Sequence, residues 1–354
     1  MQRRKWLAVL GVCVITTTAV ACGQSDDGSD AAQGGTCGGD KLTVAQPSTG
    51  YNFFPSYVAE AAGYYDEAGL NVEVLDLGGG PEALSGVVAG SVDVALSVHS
   101  SVVEARAKGA PVKSFLGLMD QYGAELVVKA DVADAAQVSE SSPIADKVKR
   151  LDGMNIGVTS AGSGTDQAIR YIMRSEGLDP DEAATIVAVG SGNGMVGAFT
   201  QGKVDAVIIS SPTADIAAQR GNGTKLLSMT KGEFEPLKGF LYITAIARED
   251  TLARRKSTLT CFASAIQKAL ELIQNDPKRA AELARPSYGD LDDAMYNTVL
   301  FDVALPSFPE SVSIDPKSSD IVIDFVNASH DEPVDVTTDE SVDFEIAKQV
   351  VTTP

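Results

Sequence analysis

The sequence is poor in the residues from which metal sites and reactive thiol sites are built. Its 354 residues include four cysteines, one tryptophan and only two histidines, His99 and His330. Neither histidine has other ligand-type residues near it at metal-binding spacing. The sequence therefore predicts no metal site and no cofactor.

Basic residues are also scarce. Lysine and arginine total 28 against 48 aspartates and glutamates, which gives a formal net charge of −20. Such an acidic surface repels phosphate backbones and anionic lipid head groups. We expect neither nucleic acid nor an anionic lipid surface as a partner.

The N-terminal residues predict export. Arg3, Arg4 and Lys5 precede an apolar stretch, residues 6–20, that is short for a membrane span, and we interpret residues 1–21 as a signal peptide. Residues 19–22, Ala-Val-Ala-Cys, are similar to the bacterial lipobox, which makes Cys22 the predicted lipid anchor on the outer side of the cytoplasmic membrane. Ordinary cleavage is the alternative, and the arginine pair leaves both the general and the twin-arginine export routes open.

Residues 22–40 have hardly any apolar side chains and are predicted to form a lipidated flexible tether. With Cys22 assigned to lipid, Cys37 and Cys261 are the candidates for a disulfide in an oxidising compartment. Two separate thiols are the alternative.

The rest of the chain alternates strand and helix patterns and contains an internal repeat. Residues 41–50 align with residues 153–162 at a shift of 112 positions. The same shift places three residues of the first copy, Gly78, Gly90 and Asp93, on Gly190, Gly202 and Asp205. The sequence therefore predicts an α/β protein with two similar units. One long doubly wound sheet is the alternative.

Two such units form two lobes with a ligand cleft between them. We assign residues 41–122 to the first part of lobe 1 and residues 123–244 to lobe 2. Residues 245–354 then complete lobe 1 and form a C-terminal segment. The chain is expected to cross between lobes near residues 122–128 and 241–247, and to be a monomer.

One motif could indicate an enzyme. Residues 192–197 fit G-x-G-x-x-G, and Asp215 follows roughly where a ribose-binding acid would, as in an NAD-dependent dehydrogenase. The matching turn of the first unit, residues 78–80, is equally glycine-rich, which favours a shared turn over a dinucleotide site. The sequence also lacks G-x-S-x-G, G-x-x-x-x-G-K-S/T, H-E-x-x-H and a Cys–His pair. We therefore do not expect an enzyme.

Several segments carry a resemblance to a known family. Residues 55–74 (PSYVAEAAGYYDEAGLNVEV) and 89–95 (AGSVDVA) resemble the substrate-binding proteins of nitrate, sulfonate and taurine ABC importers, with relatives that bind thiamine-pyrimidine precursors. Residues 151–158, 176–181 and 201–206 are similar to the second lobe of that family.

The resemblance implies a two-lobed periplasmic-binding-protein-like fold, with a hinge of two crossing segments and a small-molecule ligand. It also implies an ABC permease and its ATPase as partners. Yeast pyrimidine synthases share this fold, but their cysteine-rich motif is absent here. A ligand sensor for a receptor, or a binder of a thiamine-precursor-like pyrimidine, is the alternative.

Ligand contacts are expected where strands end and helices begin, because unpaired backbone N–H groups point into the cleft there. These candidates are Ser48, Thr49, Gly50, Tyr51, His99, Ser100, Gln121, Tyr122, Ser160, Gly162, Ser163, Gly164, Thr165, Gly192, Asn193, Ser210 and Ser211. Hydroxyls and amides without a nearby cation suit an organic monoanion, a sulfonate or a carboxylate, aromatic ligands included. Helix capping is the alternative role for the hydroxyls, and a structural role is the alternative for His99.

Overall fold

The computed structural model describes residues 37–289, 291–328 and 333–351. The predicted signal peptide, Cys22, most of the tether and His330 lie outside the described residues. Within these ranges, no helix combines the length and hydropathy needed to cross a membrane.

The strands of the described residues form two sheets. They are β1 Asp40–Gln46, β2 Leu70–Asp76, β3 Val94–Val98, β4 Val112–Met119, β5 Glu125–Lys129, β6 Asn155–Val158, β7 Thr185–Ala188, β8 Ala206–Ile209, β9 Gly223–Ser228 and β10 Ile243–Arg248.

Helices cover both sheets. They are α1 Phe54–Ala61, α2 Tyr64–Glu67, α3 Gly80–Ala89, α4 His99–Ala107, α5 Ala130–Ala136, α6 Ile144–Lys149, α7 Gly164–Ser175, α8 Pro180–Ala183, α9 Gly192–Thr200, α10 Thr213–Gly221, α11 Glu249–Arg254, α12 Lys256–Asn275, α13 Pro277–Ala284, α14 Asp293–Val299, α15 Pro316–Asn327, α16 Thr338–Ser341 and α17 Ala347–Val350.

The two sheets have matching topologies. Their orders are β2-β1-β3-β10-β4 and β7-β6-β8-β5-β9. In each sheet the first three strands are parallel, and the fourth, β10 or β5, runs antiparallel to both its neighbours. The α/β class and the two-lobed arrangement are confirmed, and a single long sheet is wrong.

We call the first sheet with its helices lobe 1 and the second lobe 2. The chain passes between them at residues 120–124 (the first crossing) and 229–242 (the second crossing). Both crossings are displaced from their expected positions, because residues 125–128 already belong to β5 and residues 243–247 to β10. These two strands pair fully within their sheets and are therefore not part of a hinge.

The repeated residues have the same local role in both lobes. The N–H of Thr43 donates to Asp93 Oδ2 at 2.9 Å, and the N–H of Asn155 donates to Asp205 Oδ2 at 2.9 Å. Asp93 thus ties the turn before β3 to β1, and Asp205 ties the turn before β8 to β6. Gly90, which ends α3, has a left-handed φ of 74°, a conformation that glycine adopts at little cost.

The C-terminal third of the chain completes lobe 1. Cys37 and Cys261 form a disulfide that ties the start of the described chain to α12. Helix α15 packs on α4, and Val342 makes a parallel bridge to Ser114 of the edge strand β4. Lobe 1 is therefore assembled from segments that are distant in sequence.

Candidate functional site

A cavity of about 50 Å³ lies where the two lobes meet. Its walls come from the carboxyl ends of strands in both sheets and from the second crossing, the position at which α/β proteins usually bind ligands. The lining residues are Pro47, Ser48, Asn52, Phe53, Gly80, Ser97, Val98, Thr159, Gly164, Thr165, Ile209, Ser210, Tyr242 and Ile243. None of them carries a charged side chain.

Hydrogen bonds join the lobes across the cleft. The N–H of Tyr51 donates to the carbonyl of Ser211 at 3.1 Å. Ser100 Oγ donates to Gln167 Oε1 at 2.6 Å, and Gln167 Nε2 donates to Glu104 Oε1 at 2.9 Å. Gln167 of lobe 2 therefore bridges two residues of α4 in lobe 1, and these contacts hold the lobes together around the cavity.

Each crossing supplies a tyrosine to the cavity region. Tyr122 and Tyr242 pack with their ring centroids 4.3 Å apart, and both are buried. The Tyr122 hydroxyl donates to the carbonyl of Gly164, the first residue of α7, at 2.5 Å. The crossings are thus packed against each other and against the lobe 2 side of the cleft.

The loop at residues 160–165 satisfies much of its own hydrogen bonding. Ser163 caps α7 by accepting the N–H of Asp166. Asp166 Oδ2 in turn accepts the N–H of Gly162 at 2.8 Å, and Thr165 Oγ1 accepts the N–H of Thr159 at 3.0 Å. Few donors of this loop remain free for a ligand.

Three buried serine hydroxyls at the cleft lack a hydrogen-bonding partner among the described residues. They are Ser97 Oγ, Ser160 Oγ and Ser211 Oγ. Ser97 lines the cavity and its residue is 0% exposed, whereas Ser160 and Ser211 belong to the loops that close it. A buried hydroxyl that forms no hydrogen bond within the protein is available to a ligand.

The structure brings together only part of the predicted site. Ser48, Gly164, Thr165 and Ser210 line the cavity directly. Thr49, Gly50, Ser100, Tyr122, Ser160, Gly162, Ser163 and Ser211 lie on the same loops or beside them. Their roles as ligand contacts stay predictions.

Four other candidates are used elsewhere or lie outside the lining. The Tyr51 hydroxyl donates to the carbonyl of Tyr296 at 3.0 Å within lobe 1. Gln121 Nε2 donates to the carbonyl of Met229 at 2.7 Å and so ties the two crossings. Gly192 and Asn193 are exposed at the start of α9. The cavity does not reach them.

The prediction of His99 as a cleft contact is wrong. Its ring is completely buried, with Nδ1 2.9 Å from Ser114 Oγ and Nε2 2.9 Å from Ser319 Oγ. Burial lowers the pKa of His99 to about 3. The side chain points from α4 towards β4 and α15, which makes it a structural histidine.

Sequence reasoning missed several lining residues. Asn52, Ser97, Thr159 and Tyr242 all line the cavity and carry polar side chains. Ser97 lies inside β3 and Tyr242 ends the second crossing, so neither follows a strand as the expected contacts do. The available signal for Ser97 was a polar residue within the apolar run of β3.

Glu125, the first residue of β5, has a buried carboxyl beside the first crossing. The residue is 1% exposed, and burial raises the pKa of its carboxyl to about 7, although the nearby Lys225 ammonium offsets part of that rise. The unfolded chain has the ordinary pKa of 4.5. Between these two values the folded state holds a proton that the unfolded state lacks. The free energy of unfolding therefore falls as pH rises through this window.

We expect Glu125→Gln to be more stable than the wild type at pH 8, by about 2–3 kcal/mol, and nearly equal to it at pH 4.5. Urea unfolding at the two pH values measures this, and the comparison with wild type removes the contributions of other groups. Glu182→Gln, at an exposed glutamate of α8, is the control and should change neither value. An equal effect of Glu125→Gln at both pH values would contradict the role of ionisation.

Among the described residues, no group of three or more His, Cys, Asp or Glu side chains is placed to hold a metal ion.

The sequence matches a family model over most of the folded part. Residues 51–280 match the model described as NMT1/THI5 like. A putative binding protein of Bacillus subtilis, YtlA, is 25% identical over 317 residues, covering 88% of this chain and 90% of that protein. A Saccharomyces cerevisiae protein named 4-amino-5-hydroxymethyl-2-methylpyrimidine phosphate synthase THI13 is 25% identical over 253 residues, covering 68% of this chain and 69% of that protein.

Solved structures show the same fold. The periplasmic nitrate-binding protein NrtA of Synechocystis PCC 6803 has a TM-score of 0.67 and 16% identity, covering 89% of both chains. The alkanesulfonate-binding protein SsuA of Xanthomonas axonopodis pv. citri, bound to MOPS, has a TM-score of 0.63 and 17% identity, covering 82% of this chain and 90% of that chain. At these identities the likeness concerns the fold alone.

Proposed function

The chain belongs to the NMT1/THI5-like family, and we propose that it is the substrate-binding component of an ABC importer. It is exported, anchored by Cys22 outside the cytoplasmic membrane, and works as a monomer that delivers a small solute to a permease and its ATPase. The observation that carries this proposal is the cavity between two lobes that two crossings join. The names of the structural neighbours NrtA and SsuA support the same role.

The ligand candidates are of two kinds. The sequence favours a small organic monoanion, a sulfonate or a carboxylate, and the name of SsuA agrees with it. The name of the yeast relative suggests a pyrimidine instead. Both kinds contain groups that the hydroxyls of Ser48, Ser97 and Ser210 can bind.

An enzyme is the less supported alternative. The yeast relatives are named synthases, but here the cavity lining contains no titratable acid, base or nucleophile other than hydroxyls and the phenol of Tyr242. A sensor that presents its closed form to a receptor would need the same cleft. It differs from an importer only in its partner.

In the proposed mechanism the solute binds in the open cleft, and the lobes then close over it by a hinge motion. Closure forms the contacts between Tyr51 and Ser211 and between Gln167 and α4. The closed surface then docks on the permease.

We expect Gln167→Ala to weaken solute binding by about 10-fold, because it removes two hydrogen bonds that only the closed form makes, about 1 kcal/mol each at most. With solute present, small-angle scattering should show a larger radius of gyration for the variant than for the wild type. Calorimetry measures the affinity. Gln201→Ala, at an exposed residue after α9, is the matched control and should leave both quantities unchanged. An unchanged radius and affinity for Gln167→Ala would show that the bridge does not stabilise closure.

The proposed function is tested by uptake. Cells that lack this protein should lose import of the solute that raises its melting temperature, and the wild-type gene should restore it. Retained uptake in the deletion strain, together with loss of a signalling receptor's response to the solute, would favour the sensor.

A further inference from the structure

The charged groups around the cleft determine which ligand charge it can accept. From them we infer that the site selects an uncharged polar solute, with both hydrogen-bond donors and acceptors, over an anion. This inference rests on the proposed function, since it concerns the same cavity, and it decides between the two kinds of ligand named above. Three observations lead to it.

First, no cation is available to an anionic ligand. The lining contains no lysine, arginine or histidine. Two cations of lobe 2 are already paired with acids in the first turns of α7 and α10, Arg170 with Asp166 at 2.7 Å and Lys225 with Asp215. An anion entering the cavity would lose its hydration without gaining a counter-charge.

Second, the protein's own carboxylates occupy the helix ends that usually hold anions. Three helices that begin at the cleft loops carry an acid in their first turn, namely Glu82 of α3, Asp166 of α7 and Asp215 of α10. Asp166 also accepts the N–H of Gly162, a donor that a ligand would otherwise use. These negative charges offset the positive end of each helix.

Three further helices near the cleft, α1, α4 and α9, have no acid in their first turn. The first turn of α1 contains Pro55, which has no N–H to donate. In α4, the N–H of the first residue, His99, already donates to the carbonyl of Tyr242 at 3.0 Å. Helix α9 begins at Gly192, which is outside the lining. Together with the net charge of −20, the local field disfavours an anion at the cavity.

Third, the groups that remain free can both donate and accept. The buried hydroxyl of Ser97 has no partner among the described residues, and the same holds for Ser160 and Ser211 at the closing loops. A hydroxyl donates one hydrogen bond and accepts up to two. Such a set matches a carboxamide, a sulfonamide or a ring amide, which present N–H and oxygen together. A carboxylate or sulfonate only accepts.

The test uses pairs of probes that share a shape and differ in charge: acetate and acetamide, methanesulfonate and methanesulfonamide, nicotinate and nicotinamide. Thermal shift and calorimetry on the full mature protein measure each pair at neutral pH. We expect the uncharged member to bind at least 10-fold more tightly in the pairs that bind. Tighter binding of the anionic members overturns the inference, and so does a panel in which no uncharged member binds.

Two variants separate this inference from the proposed function. Ser97→Ala should weaken the uncharged probe by about 10-fold without lowering the melting temperature of the free protein, because the hydroxyl it removes is unpaired. Asp166→Asn should raise the affinity for the anionic probes, since it removes a negative charge beside the cleft and leaves Arg170 paired with Asp181 alone. If the anionic probes bind the wild type better and cellular uptake still depends on the protein, the inference fails and the proposed function stands. If uptake does not depend on the protein, the proposed function fails whatever the probes show.

Discussion

Removing the disulfide by the double substitution Cys37→Ala, Cys261→Ala is expected to lower the free energy of unfolding by about 4–5 kcal/mol. The two cysteines are separated by 224 residues, and a cross-link that closes so long a loop strongly restricts the unfolded chain. The bond also fixes the start of β1 to α12, the long helix that covers lobe 1. Urea unfolding of the wild type and the variant measures the difference.

Reductant supplies the control for this experiment. Dithiothreitol should lower the stability of the wild type to nearly that of the double variant and should leave the variant unchanged. A wild-type curve that does not respond to reductant under unfolding conditions, or a variant as stable as the wild type, would contradict the assigned role of the disulfide.

The second large effect is expected for Gly164→Val, which should weaken solute binding by about 100-fold. A Cβ at Gly164 would lie 3.0 Å from Val98 Cγ1 of lobe 1 and 3.5 Å from the hydroxyls of Tyr122 and Tyr242. A valine there fills the cavity and separates the lobes, because the strand end at Val98 cannot retreat without moving β3. Calorimetry measures the affinity, and scattering should find the variant open even with solute present.

Gly197→Val is the matched control on α9, where an added Cβ meets only the end of the Gln201 side chain, at 3.9 Å. It should bind solute like the wild type. Normal affinity for Gly164→Val would place the binding site elsewhere. If Gly164→Val melts at close to the wild-type temperature, its loss of binding is not caused by a failure to fold.

The fold could be predicted because the repeated residues have local roles. Asp93 accepts a backbone N–H of β1, Asp205 accepts one of β6, and Gly90 ends α3. The spacing of these residues therefore indicates the α/β unit to which they belong. The two crossings differ from their expected positions because of strand pairing between segments that are distant in sequence. Strands β5 and β10 pair with strands that lie on both sides of them in space, and no pattern within either segment shows those partners.

The site was predicted less well, because a loop position does not determine where each side chain points. His99 and Ser100 are consecutive at the start of α4, yet His99 faces the core of lobe 1 and Ser100 faces Gln167 across the cleft. Ser97 reaches the cavity from inside β3 because of the direction of its side chain from the sheet. These orientations depend on the packing of both lobes, which the sequence does not show directly.

The order of the strands along the chain also orders the assembly of the lobes. Lobe 2 takes all its strands from one continuous stretch, residues 125–228, and can close its sheet as soon as that stretch is available. Lobe 1 cannot, since β4 joins its sheet through β10 and so waits for residues 243–248. A chain that leaves the ribosome N-terminus first therefore begins with its unfinished lobe. That lobe keeps an unpaired strand edge and the thiol of Cys37 exposed until lobe 2 and then Cys261 have followed.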